Sequence, residues 1–165
     1  MLGREELIGL LKHGRIEFAC EYHEPVSNMA ESGALELSLE GARCKNLLLQ
    51  DKSGRYYLVM TAANKSLELS AVANTLRSKR LSFASADRLC ELLGVRPGSL
   101  SPLALVNDAS HEVHLVIDED LRNESTFLLH PLDSAATVAL TKRDLEAFLE
   151  SIAHPPAWTF LAART

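Results

Sequence analysis

Two apolar runs joined by a polar, glycine-containing turn set the first constraint on the fold. Leu47-Leu48-Leu49 leads into Asp51-Lys52-Ser53-Gly54, and the chain returns as Tyr56-Tyr57-Leu58-Val59-Met60. Aliphatic and aromatic runs of this length around turn formers read as a β-hairpin. Lys45 stands at the mouth of the first arm, directly before Asn46. An ammonium entering a buried strand must reach water or be paired. The bland reading is a lysine that points to solvent. The functional reading is a cation that holds an anionic or hydroxyl-rich ligand against the end of a sheet.

The rest of the chain is read around this hairpin. Residues 4–12 place Leu7, Leu10 and Leu11 on one helical face, with Glu5 and Glu6 near the positive end of the dipole. Gly14 stops that helix, and residues 15–20 read as a short strand. One helical turn is expected at 28–31. Leu35, Leu37 and Leu39 alternate with polar residues, as in a half-buried strand. Residues 70–76 and 85–93 read as helices, the second with Ser85 as N-cap and Gly94 as its stop. Residues 103–106 and 113–117 flank Asn107-Asp108 and predict a second hairpin. Residues 127–129 and 137–140 predict two more strands. Thr141-Lys142-Arg143-Asp144 opens a last helix to about residue 152. Tight turns between neighbouring strands favour a single α+β domain over residues 1–153, with a mixed, largely antiparallel curved sheet flanked by helices. Residues 154–165, with Pro155 and Pro156, are expected to form a loosely docked tail.

A chain of 165 residues is long enough for one domain with a sizeable core. No cationic N-terminal region leads into an apolar segment, and no apolar stretch approaches the roughly 20 residues of a membrane span. A cytoplasmic protein without membrane contact is the expectation. Cys20, Cys44 and Cys90 are odd in number and lack a short pairing pattern, which argues against a disulfide framework. His111-Glu112-Val113-His114 is one residue short of the zincin motif, and Cys20 with His23 has no second pair, so no metal site is expected. The net charge of −5 argues against broad, sequence-blind binding to nucleic acid but leaves room for a local basic patch.

No nucleotide-binding glycine pattern and no nucleophile elbow is present. Ser99 and Ser101, in a Gly/Pro loop, read first as turn residues. Asp118, Glu119 and Asp120 read as the cap of a helix start. Strand alternation puts Cys44 on the face opposite Lys45, which favours a buried apolar cysteine over a reactive thiol. What remains is a set of polar residues at strand ends and turns: Lys45, Asn46, the loop from Gly98 to Pro102, Asp108, His130 and Thr137.

The order of these segments resembles a known family. The stretch from Cys44-Lys45-Asn46 through Tyr56-Tyr57-Leu58-Val59 is similar to the lysine-asparagine strand and hairpin of the YbaK/ProX aminoacyl-tRNA editing domains. Leu81-Ser82-Phe83-Ala84-Ser85 resembles the segment that follows there. Residues 92–102 resemble the family's G-x-x-x-P loop, and Val106-Asn107-Asp108 the strand end after it. His130-Pro131 with Ala136-Thr137-Val138 resembles its histidine-proline loop, and His23-Glu24-Pro25-Val26 its N-terminal loop. The resemblance spans about residues 20–150.

The resemblance implies hydrolysis of the ester between a wrong amino acid and tRNA, most often tRNA for proline. Alanyl-tRNA is the leading substrate, with cysteine, serine or threonine on tRNA as alternatives. Lys45 is then expected to hold the terminal adenosine or the reacting ester. Gly98, Ser99, Leu100, Ser101 and Pro102 are expected to present backbone groups to the aminoacyl moiety. Asn46, Asp108, His130, Asp133 and Thr137 are expected to bind substrate, and Arg77, Lys79 and Arg80 the acceptor stem. In the family a terminal 2′-hydroxyl assists the attacking water, so neither cofactor nor metal is implied. Implied partners are the acceptor end of mischarged tRNA and prolyl-tRNA synthetase; the oligomeric state is left open. The chain departs from the family pattern at Leu48, at Leu103-Ala104 and in the loop Leu132-Asp133-Ser134-Ala135, near the amino-acid pocket. Two other readings are a non-catalytic module binding aminoacyl-tRNA or a synthetase, and a hydrolase of small esters or amides.

Overall fold

The computed structural model describes residues 1–165, the side chains of Met29 and Gly33 excepted. In chain order the elements are α1 (Arg4–His13), β1 (Ala19–Tyr22), α2 (Met29–Gly33), β2 (Ala42–Asp51), β3 (Tyr56–Ala62), α3 (Leu69–Leu76), β4 (Leu81–Phe83) and α4 (Ala86–Leu93). A 3₁₀ turn at Pro102–Asn107 follows, then β5 (Val113–Asp118), a second 3₁₀ turn at Glu119–Leu121, β6 (Thr126–Leu129), β7 (Ala136–Thr141), α5 (Lys142–Ser151) and β8 (Ala157–Thr159). The strands form one mixed sheet in the order β1-β7-β6-β2-β3-β5-β8, with β4 added beside β2.

The central hairpin is as expected. β2 and β3 pair antiparallel from Cys44–Ala62 to Gln50–Tyr56. Asp51 closes the turn by accepting from the Ser53 hydroxyl and from the N–H groups of Ser53 and Arg55. Alternation along the arms sends Leu48, Leu58 and Met60 into a core with Leu7, Leu105 and Phe127. Leu47, Leu49 and Val59 enter a second core with Val72 and Leu161. Both faces are covered, which is why the arms read as continuous apolar runs rather than as alternation.

The capping residues also act as their chemistry predicts. Ser85 Oγ accepts from Arg88 N–H at the start of α4, and Gly94 ends it with φ +67°. Thr141 Oγ1 accepts from Asp144 N–H and starts α5. In α1, Leu7 and Leu11 are buried whereas Leu10 is exposed. Ile8 takes its place, so the buried stripe is Leu7, Ile8 and Leu11, shifted from the one the sequence suggested.

Three expectations are corrected. Residues 35–39 form no strand, because no described strand pairs with them, and Leu35 and Leu37 instead border a cavity. Residues 103–106 are 3₁₀ rather than extended: Ser101 caps the turn through Leu103 N–H, and Pro102 supplies the first-turn φ. β5 consequently pairs in parallel with β3, not in a hairpin with 103–106. The C-terminal segment is not a loose tail, since β8 runs parallel to β5 and Leu161 is fully buried. Four of the seven strand pairings among the described residues are antiparallel, so the sheet is mixed more evenly than expected.

One irregularity positions the site. On one side β2 pairs with β6 only at Ala42 and Arg43, and with β4 only from Leu49 to Asp51. Between these contacts the edge at residues 44–47 has no strand partner among the described residues. The sheet opens along that edge.

Candidate active site

A small cavity of about 70 Å³ lies where the sheet opens. Arg43, Cys44, Lys45 and Asn46 line it from β2, and Leu128, Leu129 and His130 from β6 and its end. Gly98 and Leu100 enter from the Gly/Pro loop, Thr137 from β7, Ser32 from α2, and Leu35, Leu37 and Ala63 complete the wall.

Lys45 is half-buried, and its side chain has neither a hydrogen bond nor an ion pair to any described residue. Desolvation pushes its pKa below the ordinary lysine value, so the ammonium is held at a cost that a bound anion or dipole would offset. Asn46 adjoins it, with Oδ1 buried and unpartnered. Cys44 is the inert neighbour expected: burial pushes its thiol up to about 12, far from a thiolate at neutral pH.

The Gly/Pro loop meets the cavity because Gly98 takes φ +91°, a left-handed conformation that favours glycine. A Cβ there would approach Val26 O to 2.7 Å, so Gly98 also permits residues 26–28 to lie against the loop. Ser101 anchors the loop by donating to His130 O at 2.7 Å. Ser99 N–H is bonded to Arg96 O, whereas the N–H groups of Gly98 and Leu100 have no partner among the described residues. Free amides beside a half-buried lysine suit a carbonyl oxygen or the oxyanion formed from it.

His130 is buried against the same wall. Its Nδ1 lies 2.8 Å from Ala136 O and its Nε2 3.0 Å from Ser32 Oγ. Burial lowers its pKa, with a smaller contribution from nearby His23, so it is neutral at pH 7. His23 Nε2 lies 2.8 Å from Thr137 Oγ1.

The structure therefore brings together Lys45, Asn46, Gly98, Leu100, His130 and Thr137 of the expected residues. Ser99, Ser101 and Pro102 lie outside the lining, all three buried within the loop. Asp108 is not at the cavity. Its carboxylate accepts from Glu112 and Val113 N–H and meets His154, fixing the turn before β5. Asp133 is likewise outside: it accepts from Ala135 N–H and pairs with Arg4 of α1 at 3.1 Å. Both corrections have one cause, that short carboxylates at turns bond their own backbone. Arg77, Lys79 and Arg80 cluster near the Asp51 end of β2, roughly 20 Å along the strand from Lys45. Ser32, Leu35, Leu37, Arg43, Ala63, Leu128 and Leu129 were not anticipated. Ser32 announces itself only through His130, 98 positions away, and His23, seen in the sequence only as part of a loop, finds its role through Thr137, 114 positions away. Among the described residues no three metal-binding side chains gather, and no helix is long and apolar enough to cross a membrane.

Fold and site define an α+β domain with a small cavity at a gap in its central sheet. Residues 23–148 match the model of the aminoacyl-tRNA editing domain, and the chain belongs to that family. It is 33% identical over 152 residues to the prolyl-tRNA editing protein ProX of Acetoanaerobium sticklandii, covering 92% of this chain and 93% of that one. It is 35% identical over 155 residues to the prolyl-tRNA synthetase associated domain-containing protein 1 of Danio rerio, covering 93% and 84%. The crystal structure of hypothetical protein APE2540 superposes with a TM-score of 0.71 at 21% identity, over 93% of this chain and 98% of that one, and so shares the fold.

Proposed function

We propose that this protein is a freestanding deacylase that hydrolyses mischarged tRNA for proline, with alanine as the amino acid removed. The observation that carries the reading is the unpartnered, half-buried Lys45 in one cavity with the free N–H groups of Gly98 and Leu100. Water attacks the ester carbonyl carbon, and the carbonyl oxygen becomes an oxyanion held by these amides. The bond to the ribose oxygen then breaks, and that oxygen leaves as a hydroxyl with a proton from the attacking water. Lys45 holds the terminal nucleotide or the ester and stabilises the negative charge. An ammonium about 4 Å from that charge contributes roughly 4 kcal/mol at an effective dielectric near 20.

The lining of the cavity supports the choice of amino acid. Leu35, Leu37, Leu100, Leu128 and Leu129 wall it and suit a small apolar side chain. A second sieve of this kind removes what a synthetase pocket cannot exclude on size alone. Residue Lys45 is the test. Lys45→Ala should lower alanyl-tRNA turnover by about 10²–10³-fold while the fold is kept, and a panel of alanine, serine, threonine, cysteine and 2-aminobutyrate on tRNA for proline should rank alanine first. Near-normal turnover of every ester by the variant would remove Lys45 from the mechanism.

A further inference from the structure

One imidazole in the cavity wall, His130, and one bonded to the wall residue Thr137, His23, are held in the same tautomer. His130 Nδ1 lies 2.8 Å from Ala136 O and His23 Nδ1 lies 2.9 Å from Glu24 O. A carbonyl only accepts, so each Nδ1 carries a proton, and in that tautomer Nε2 is the acceptor of the ring. Those Nε2 atoms face Ser32 Oγ and Thr137 Oγ1. Both hydroxyl protons are therefore directed at imidazoles, and Ser32 and Thr137 keep only lone pairs for the cavity they line. Asn46 adds a carbonyl oxygen with no partner. The charged residues in the lining are Arg43 and Lys45, with no carboxylate among the described lining residues. One wall thus collects neutral acceptors, while the lysine and the free loop amides supply donors.

Resting on the editing reading above, we propose that these acceptors read the α-amino group of the aminoacyl ester. We further propose that His23 is the positioning residue that orients the Thr137 hydroxyl toward it. The amine is selected as a hydrogen-bond donor rather than as a cation, because no negative charge faces it. Acceptors without a donor in reach reject an ester that lacks the amine, since burying them unpaired is unfavourable. His23 acts through Thr137 and does not touch the reacting atoms.

The test compares alanyl-, lactyl- and propionyl-tRNA for proline, each expressed as rate enhancement over its own spontaneous hydrolysis. Lactyl-tRNA replaces the amine by one hydroxyl, and propionyl-tRNA removes the group without adding bulk. Wild-type enhancement should fall roughly 10- to 100-fold from alanyl to propionyl, with lactyl between them. His23→Phe keeps a ring but removes the acceptor, and should draw the alanyl-to-propionyl ratio toward unity. His23→Gln, which returns an amide oxygen near the Nε2 position, should restore part of that ratio. Equal enhancement of alanyl and propionyl esters by the wild type would overturn the amine assignment. Slowing of both esters by His23→Phe with the ratio intact would overturn the positioning role. Failure of the wild type to hydrolyse any of the three would instead sink the editing reading.

Discussion

Gly98 shows how tightly one residue can bind backbone conformation to function. Its φ of +91° disfavours any side chain, and its missing Cβ leaves room for Val26 O. Gly98→Ala should destabilise the protein by about 2 kcal/mol or more, measured by urea unfolding, and should reduce deacylation further by shifting the free amides. Lys45 should behave in the opposite way. Desolvation lowers its pKa, so the folded chain binds that proton less well than the unfolded chain does. Below the folded pKa the ammonium is a net cost, and stability rises with pH through the interval up to the ordinary lysine value near 10.4. Lys45→Met should therefore be inactive yet at least as stable at neutral pH, by up to about 1 kcal/mol, in the same unfolding assay. The sequence made Lys45 and Gly98 legible because their types are unusual at those positions. Asp108 and Asp133 misled because a carboxylate that caps a turn and one that binds substrate look identical in one dimension.

Elements were legible where local chemistry decided them. Ser85, Gly94 and Thr141 set helix ends through bonds within four residues, and the Asp51 turn closes on itself. The errors arose where distant packing decided. Residues 103–106 have strand-like composition but are drawn into 3₁₀ geometry by Ser101, which is tied to His130 O. The C-terminal segment looked loose because its anchors lie elsewhere in the chain. Asp118 accepts from Lys65, from the Thr61 hydroxyl and from Leu161 N–H, and Arg122 and Lys142 flank the Trp158 ring at 4.8 and 5.0 Å. Burial alone would raise the Asp118 pKa, but the bonds from Lys65 and Thr61 outweigh it and hold the carboxyl below its usual value. A depressed pKa contributes stability that is present above the unfolded value near 3.9 and lost as pH falls through the folded value. Asp118→Asn should cost about 2–3 kcal/mol at pH 7 by leaving Lys65 poorly paired. It should also flatten the acid limb of stability below pH 4. Fluorescence of Trp158, the one tryptophan in the chain, reports on β8 directly.

At the scale of the whole molecule, an acidic chain has to hold a polyanion. The net charge of −5 gives no general attraction for tRNA, so on the proposed reading binding rests on local cations and on the nucleotide end held at the cavity. Arg77, Lys79 and Arg80 follow α3, near the end of β2 that lies opposite Lys45. Roughly 20 Å along the strand separates them from Lys45. An acceptor end seated with its terminal ester at Lys45 has phosphates at that range. The three cations make no ion pair among the described residues, unlike Arg88 with Glu91 or Arg122 with Glu119. Reversing all three to glutamate should raise KM for alanyl-tRNA while changing kcat much less, because no reacting atom is nearby. The slope of log kcat/KM against log salt should flatten by roughly 0.7–0.9 for each phosphate that is no longer neutralised. Small aminoacyl esters without tRNA should be hydrolysed by the triple variant as by the wild type. An unchanged salt slope would show that these residues are a solvated helix end, and that the tRNA body approaches the cavity from another side of the sheet.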